Sequence, residues 1–165
     1  MVKIIIVDED DNEIGLKERG TLDDSDIYRV SSLWIENSND DILLAQRSFS
    51  KKKHPGKWGP AVAGTVDEGE SYEDNIIKEA EEEIGLKDVE FVKGRKVRVR
   101  GKYNYFRQMF LFTTDMSIDE FVIQENEVEK IRWFSREKLK KEFEKNPDSF
   151  IDVVGELLKD STESQ

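Results

Sequence analysis

The sequence predicts an α+β fold, a sandwich of helices around a central mixed β-sheet, on three observations. Short β-branched and aromatic runs bounded by turn residues recur along the chain. One long amphipathic helical pattern, opened by Ser71 and closed by Gly85, interrupts them near the middle. Two further helical patterns close the sequence after Phe134. Strands, a central helix, more strands and then terminal helices make a layered α/β/α arrangement.

Size and composition set the outer limits. A chain of 165 residues is expected to form one domain, 1–165, with a single core. Charged residues make up 38% and hydrophobic ones 36%, a polar but globular balance. The net charge of −11 argues against a nucleic-acid polymer or an anionic membrane as the main partner. It leaves room for a small anionic substrate held by metal ions and a local basic patch. With no cysteine there is no disulfide and no thiolate metal site. No apolar run approaches the ~18 residues of a membrane span. The opening MVKIIIVDEDD lacks a signal-peptide cleavage site, so the expected location is cytoplasmic.

In chain order, Lys3 to Val7 reads as a strand, 8–12 as a turn, and Glu13 to Glu18 as its hairpin partner. Asp8, Asp10 and Asn12 alternate in that turn, but a calcium loop needs glycine at its sixth position and glutamate at its twelfth. Glu13 and Arg19 stand there instead, so the turn reads as acidic and metal-free. Ile27 to Glu36 and Asp41 to Gln46 are strands joined by Asn37-Ser38-Asn39-Asp40, and read together as a central antiparallel hairpin. A lysine-rich loop with a Pro-Gly break follows, carrying Lys51, Lys52, Lys53, Lys57 and the sole histidine, His54.

Ala61 to Ala63 is a short strand of small residues leading to Gly64, where backbone can approach a ligand closely. Ser71 with Asp74 makes a capping box, and Gly85 ends the helix. Tyr72, Ile76, Ile77, Ala80 and Ile84 form its apolar stripe. Val89 to Val92, Val97 to Lys102, Tyr103 to Thr113 and Val128 to Phe134 are expected strands. Ser135 caps a helix reaching about Lys145, broken by Asn146-Pro147-Asp148. A last amphipathic helix carries Phe150, Ile151, Val154, Leu157 and Leu158, before a frayed polar tail from about residue 160.

The central helix also bears chemistry. Glu79, Glu82 and Glu83 fall at i, i+3 and i+4, on a face apart from the apolar stripe. Like charges at that spacing repel by roughly 0.2–0.5 kcal/mol per pair. A divalent cation would turn that repulsion into coordination, because hard cations such as Mg²⁺ take carboxylate oxygens, waters and substrate phosphates. A solvated acidic face is the alternative, since the chain holds 37 acidic residues.

Gly64 through Leu86, GTVDEGESYEDNIIKEAEEEIGL, resembles the Nudix box: glycine, five residues, glutamate, seven residues, then REUxEExGU with U aliphatic. Gly64, Glu70, Glu79, Glu82, Glu83, Gly85 and Leu86 match in register. Lys78 departs from the family's arginine, keeping the charge but losing the bidentate fork. Ala80 stands where a larger aliphatic is usual. The resemblance implies a Nudix-type α/β/α sandwich and a hydrolase of a diphosphate linkage in a nucleoside diphosphate derivative, using Mg²⁺ or Mn²⁺. By position, Glu79, Glu82 and Glu83 would bind metal together with the Gly64 carbonyl. Glu70 would bind metal indirectly or brace the loop–helix geometry, and Lys78 would stand in for the arginine that orients the glutamates by salt bridges. Glu82, Glu83 or the distal Glu127 would serve as the catalytic base. Arg47 is a candidate phosphate contact, with Arg98, Arg100 and Arg107 as weaker ones. The implied partner is a small-molecule diphosphate, with a homodimer left open.

Within that superfamily, IYRVSSLWIENSNDDILLAQRSFSKKKHPGKWGPAVAGTVDEGESYED resembles the isopentenyl-diphosphate-isomerase-like branch. The isomerase's cysteine and metal-binding histidines are missing: Ala61 to Thr65 holds neither residue, Tyr28 stands at an expected histidine, and Asn104 to Phe106 lack the acidic pair. A hydrolase of that shape is therefore expected over an isoprenoid-diphosphate-related enzyme. A Nudix-fold domain that binds a nucleotide or diphosphate without turning it over is the second reading. Trp34, Trp58, Tyr103, Tyr105 and Phe106 are the aromatics available to stack on a base.

Overall fold

The computed structural model describes residues 2–163. Among the described residues there are nine strands and three α-helices. They are β1 (Lys3–Val7), β2 (Glu13–Glu18), β3 (Ile27–Glu36), β4 (Asp41–Arg47), β5 (Trp58–Pro60) and β6 (Val62–Thr65). Then come α1 (Tyr72–Ile84), β7 (Val92–Val99), β8 (Tyr105–Thr113), β9 (Val128–Ser135), α2 (Arg136–Lys145) and α3 (Val153–Glu163). The architecture is α+β around a central mixed sheet.

β3 is the axis of that sheet. It pairs in parallel with β8 along its whole length, from Tyr28↔Tyr105 to Glu36↔Thr113. On its other edge it pairs antiparallel with β6, Ser31 opposite Gly64, and at its start with β1. The expected β3–β4 hairpin is paired only beside its turn, at Ile35↔Leu43 and Glu36↔Ile42. Beyond that point β5 takes over the edge of β4 that β3 leaves, while β9 pairs along the other edge of β4 throughout. The sheet thus opens into two wings, and α1 packs its apolar face between them. Ile76, Ala80 and Ile84 meet Leu33 and Ile35 of β3, Leu43 and Ala45 of β4, and Phe110 of β8. On the opposite face, Trp34, Ile42, Leu44, Met109 and Phe134 pack against Leu139 of α2 and Val153, Val154, Leu157 and Leu158 of α3.

Four expectations are corrected. Val89 to Val92 and Val97 to Lys102 are not two strands; one strand, β7, runs through Gly94. A register shift between Lys93 and Lys96 accommodates the glycine, and Gln108 Nε2 donates to the Gly94 carbonyl at 2.8 Å. Trp58–Pro60, read as the end of a loop, pairs with β4, which buries Trp58 against Phe134. Ile77 leaves the apolar stripe and is 55% exposed. Phe150 and Ile151 precede α3, Phe150 being placed by a bridge to Trp58. The 8–12 turn is organised by Asp8, whose Oδ1 accepts from the Asp10 and Asn12 amides. The helical backbone continues to Glu163, and the rest of the expected tail, 164–165, lies outside the described residues. Among the described residues, no helix is long and apolar enough to cross a membrane.

Candidate metal and diphosphate site

The loop–helix unit is locally determined. β6 lays Gly64 beside β3, and the chain then turns through 66–70 into Ser71. The Ser71 hydroxyl accepts from the Asp74 amide at 3.0 Å, and Asp74 returns a bond to the Ser71 amide. Gly85 ends α1 in the left-handed region at φ 68°, its N–H turned back to the Glu81 carbonyl.

Gly64 and Glu79 are pressed together. A Cβ on residue 64 would stand 2.5 Å from Glu79 Cγ, so only glycine admits this side chain. Glu70 occupies the loop's corner: its Oε1 accepts from the Asp67 amide at 2.8 Å, and its Oε2 meets Lys78 Nζ at 2.6 Å. Lys78 also reaches Asp67 at 3.4 Å and Glu79 at 3.7 Å. Burial is the largest influence on Glu70, yet its contacts with Lys78 and Asp67 prevail and hold the carboxyl below its usual range.

Glu83 differs in kind. It is 9% exposed, lying at the edge of the buried face and not on a separate solvated one. Its Oε2 has no hydrogen-bond partner among the described residues. Burial, then the Glu79 carboxylate, push its carboxyl well above the ordinary range. Glu79 is raised as well, again first by burial. Glu82, the third of the series, projects to the exposed side of α1.

A second segment closes on these glutamates. The Val122 amide donates to the Ile84 carbonyl and the Gln124 amide to the Glu83 carbonyl, so loop 121–127 is tied to the end of α1 and carries Glu127 in. The Ser48 amide donates to the Glu127 carbonyl, and Lys51 Nζ pairs with Glu127 Oε2 at 2.5 Å. Arg47, at the end of β4, shares a small pocket with Glu83, Glu127, Ala61 and Ala63. Its volume is about 30 Å³, enough for a water-sized species. Arg47 Nε donates to the Lys53 carbonyl at 2.8 Å. Burial lowers Arg47's pKa, opposed by Glu83 and Glu127.

The other basic candidates sit elsewhere. Arg98 and Arg100 both pair with Glu9 at the tip of the β1–β2 hairpin, at 2.7 and 3.4 Å. Arg107 is buried on the sheet face away from α1, paired with Glu156 of α3 at 2.8 Å. Strand alternation explains this: Arg107 points the way of Met109, while Phe110 points toward α1. His54 lies at the rim of the lysine loop, its ring 6.0 Å from that of Tyr103.

Of the aromatics, Trp34, Trp58 and Phe106 are buried core. Tyr103 and Tyr105 are half-buried and pack in a cluster with Tyr28, with Lys53 over the rings of Tyr28 and Tyr103. Tyr28 and Tyr105 have centroids 5.4 Å apart, and Lys53 Nζ lies 4.9 Å and 4.5 Å from the Tyr28 and Tyr103 centroids.

Among the described residues, no three histidine, cysteine, aspartate or glutamate side chains are gathered into a preformed cage. The donors present nevertheless fit a divalent hard cation. They are all oxygens, and one of them, Glu83 Oε2, is buried with no hydrogen-bond partner among the described residues. Mg²⁺ in such sites rests on one or two carboxylates and takes its remaining ligands from waters and substrate phosphates. Sequence reasoning missed Asn75, a fully buried polar residue touching Glu70. It also assigned no partner to Lys51. Asn75 is visible in retrospect as an amide four residues before Glu79, on the same helical face.

Comparison with known proteins agrees with this geometry. A family model described as the NUDIX domain matches residues 27–154. An isopentenyl-diphosphate Δ-isomerase of Citrobacter koseri is 35% identical over 85 residues, covering 50% of this chain and 47% of the relative, so the chain spans about half that relative's length. An uncharacterized Nudix hydrolase of Yersinia pestis is 29% identical over 141 residues, covering 81% of this chain and 73% of the relative. Among solved structures, DR0079 from Deinococcus radiodurans superposes with a TM-score of 0.79 at 21% identity, covering 95% of this chain and 97% of that one. The NUDIX domain of Shewanella oneidensis NrtR, complexed with ADP ribose, gives 0.59 at 17% identity, covering 70% and 77%.

Proposed function

The chain belongs to the NUDIX domain family, and from that membership we propose that it is a metal-dependent hydrolase of a diphosphate linkage in a nucleoside diphosphate derivative. We take residues 1–165 as one domain carrying this activity. The observation that carries the reading is a buried Glu83, with its unpartnered Oε2, in a pocket that also holds Arg47 and Glu127, on the same helix that presses Glu79 against Gly64.

Glu79, Glu82, Glu83 and the Gly64 carbonyl would hold the cation. When bound, Mg²⁺ or Mn²⁺ neutralises phosphate charge and lowers the pKa of a bound water. The unpartnered oxygen of Glu83 supports this residue as proton acceptor, while Glu127 is engaged by Lys51. Arg47 supplies positive charge opposite the carboxylates, where a phosphate oxygen has need of it. Glu70 and Lys78 hold the loop to the helix. A base-bearing, nucleotide-derived substrate is proposed over an isoprenoid one because the chain has no cysteine to serve isomerase chemistry. The NrtR domain, whose ligand is ADP ribose, is a relative in shape with a ligand of that class.

The test is a panel of nucleoside triphosphates, nucleotide sugars, dinucleotides and isoprenoid diphosphates, assayed with and without Mg²⁺. Metal-dependent release of product from a nucleotide member is expected. Tight binding of one member with no turnover of any would assign the chain to nucleotide binding instead.

A further inference from the structure

Asn75 is fully buried on α1. Its amide nitrogen donates to the Thr65 carbonyl at 3.0 Å and to Glu70 Oε1 at 3.2 Å. Its amide oxygen has no partner among the described residues and lies 3.1 Å from the place a Gly64 Cβ would take. The opposite amide orientation is worse, since it sets the oxygen against two acceptors. A buried amide with an unpartnered oxygen is costly unless the groups it joins must be joined.

What it joins is the Glu70 carboxylate. Lys78 reaches Glu70 Oε2 at 2.6 Å, while Asn75 reaches Oε1 at 3.2 Å. Residues 75 and 78 are i and i+3 on one helix, hence neighbours on its surface. A guanidinium grips both oxygens of a carboxylate from one side chain, whereas a lysine presents a single nitrogen. Here that nitrogen is also spread over Asp67 and Glu79.

We propose that Asn75 is a positioning residue of the glutamate site, forming with Lys78 a two-residue clamp on Glu70 that replaces the fork of one arginine. The clamp fixes loop 64–70 on α1, and through it Gly64 against Glu79. Its consequence for metal rests on the reading of that site as a cation site; the clamp itself does not.

The test uses Asn75→Asp, which keeps the shape but loses the donor, Asn75→Ala, and each combined with Lys78→Arg. Two readouts are taken on the full chain. Amide exchange at Asp67, whose N–H rests on Glu70, is measured without metal. Mn²⁺ affinity is measured by water-proton relaxation. Either Asn75 substitution is expected to speed Asp67 exchange about tenfold and to weaken Mn²⁺ binding about 10–100-fold. Lys78→Arg alone should change each by less than about threefold, and in the Asn75→Ala background should restore both to within about threefold, a non-additive pair. Unchanged Asp67 exchange in Asn75→Asp overturns the clamp, as does failure of Lys78→Arg to restore a folded Asn75→Ala. Absence of Mn²⁺ binding by the wild type would sink the cation site and leave the exchange result to decide the clamp.

Discussion

Replacing Gly64 by alanine tests the site at its tightest contact. The new methyl carbon would stand 2.5 Å from Glu79 Cγ and 2.8 Å from its Cδ. Non-bonded carbons settle about 3.5–4.0 Å apart, so Glu79 has to retreat by about 1 Å. The strand carrying residue 64 is held by its pairing to β3, while the glutamate is a flexible side chain, so the displacement goes into the carboxylate. A misplacement of about 1 Å at a catalytic centre costs about 10²-fold in rate, or about 2.7 kcal/mol of activation free energy. The cost to folding should sit near the low end of the ~1–3 kcal/mol typical of overpacking, a fall in Tm of about 2–4 °C for a chain this size. The measurement is steady-state hydrolysis with Mg²⁺ on the responsive substrate, beside a thermal melt. We expect kcat to drop about 10²-fold with a small loss of Tm. A variant with kcat within about threefold of wild type would refute the contact's importance. A collapsed Tm with full activity per folded molecule would refute the inference that Glu79 yields in place of the strand.

Glu83→Gln and Glu82→Gln should each lower kcat by about 10²–10⁴-fold in a folded protein, by loss of the proton acceptor and of a ligand respectively; near-normal turnover in Glu82→Gln removes that exposed residue from the site. A pH effect follows from Glu83, whose folded pKa is raised above its ordinary value. The folded state then binds more protons than the unfolded one between the two pKa values, so metal-free stability falls as pH rises through that window. Melts in a chelator should show this fall in wild type and a flatter profile in Glu83→Gln, and a pH profile identical in the two would contradict it. Saturating Mg²⁺ at about 100 times its Kd should add about 2.7 kcal/mol to wild-type stability, readable by chemical denaturation. Arg107→Met should leave kcat and KM unchanged and keep or raise Tm, because Arg107 is a buried cation paired to the exposed Glu156; a raised KM would return Arg107 to the phosphate contacts.

What could be read from the sequence was whatever depends on near neighbours. The Ser71–Asp74 box, the Gly85 stop and the spacing of Glu79 from Glu83 are local, and the helix appears where they put it. The hairpin turns follow from their asparagines and aspartates for the same reason. What depends on distant partners was less legible. Nothing local says that β4 leaves β3 after Leu43, or that Trp58–Pro60 becomes a strand by pairing with Leu44 and Gln46. Arg98 and Arg100 were candidate phosphate contacts, but their charge is answered by Glu9, far away in sequence. Glu83 shows the limit inside the motif itself. Its place in the pattern was evident, but its burial depends on loop 121–127 folding over the end of α1.

The long parallel partnership of β3 with β8 also sets the order of events in folding. Everything between those strands, including the lysine loop, the Gly64 turn and α1, is enclosed by that single pairing. Closing so large a loop is entropically slow, and sheets built on such distant pairings fold late for their size. The apolar stripe of α1 gains its walls only once β3 and β4 have found their separate partners. Substitutions in β3 or β8 should therefore slow refolding, whereas changes at Gly64, Glu79 or Glu83 should act mainly on unfolding or leave both rates alone. On that order the carboxylate cluster is expected to assemble last, so refolding rates should be the same with and without Mg²⁺.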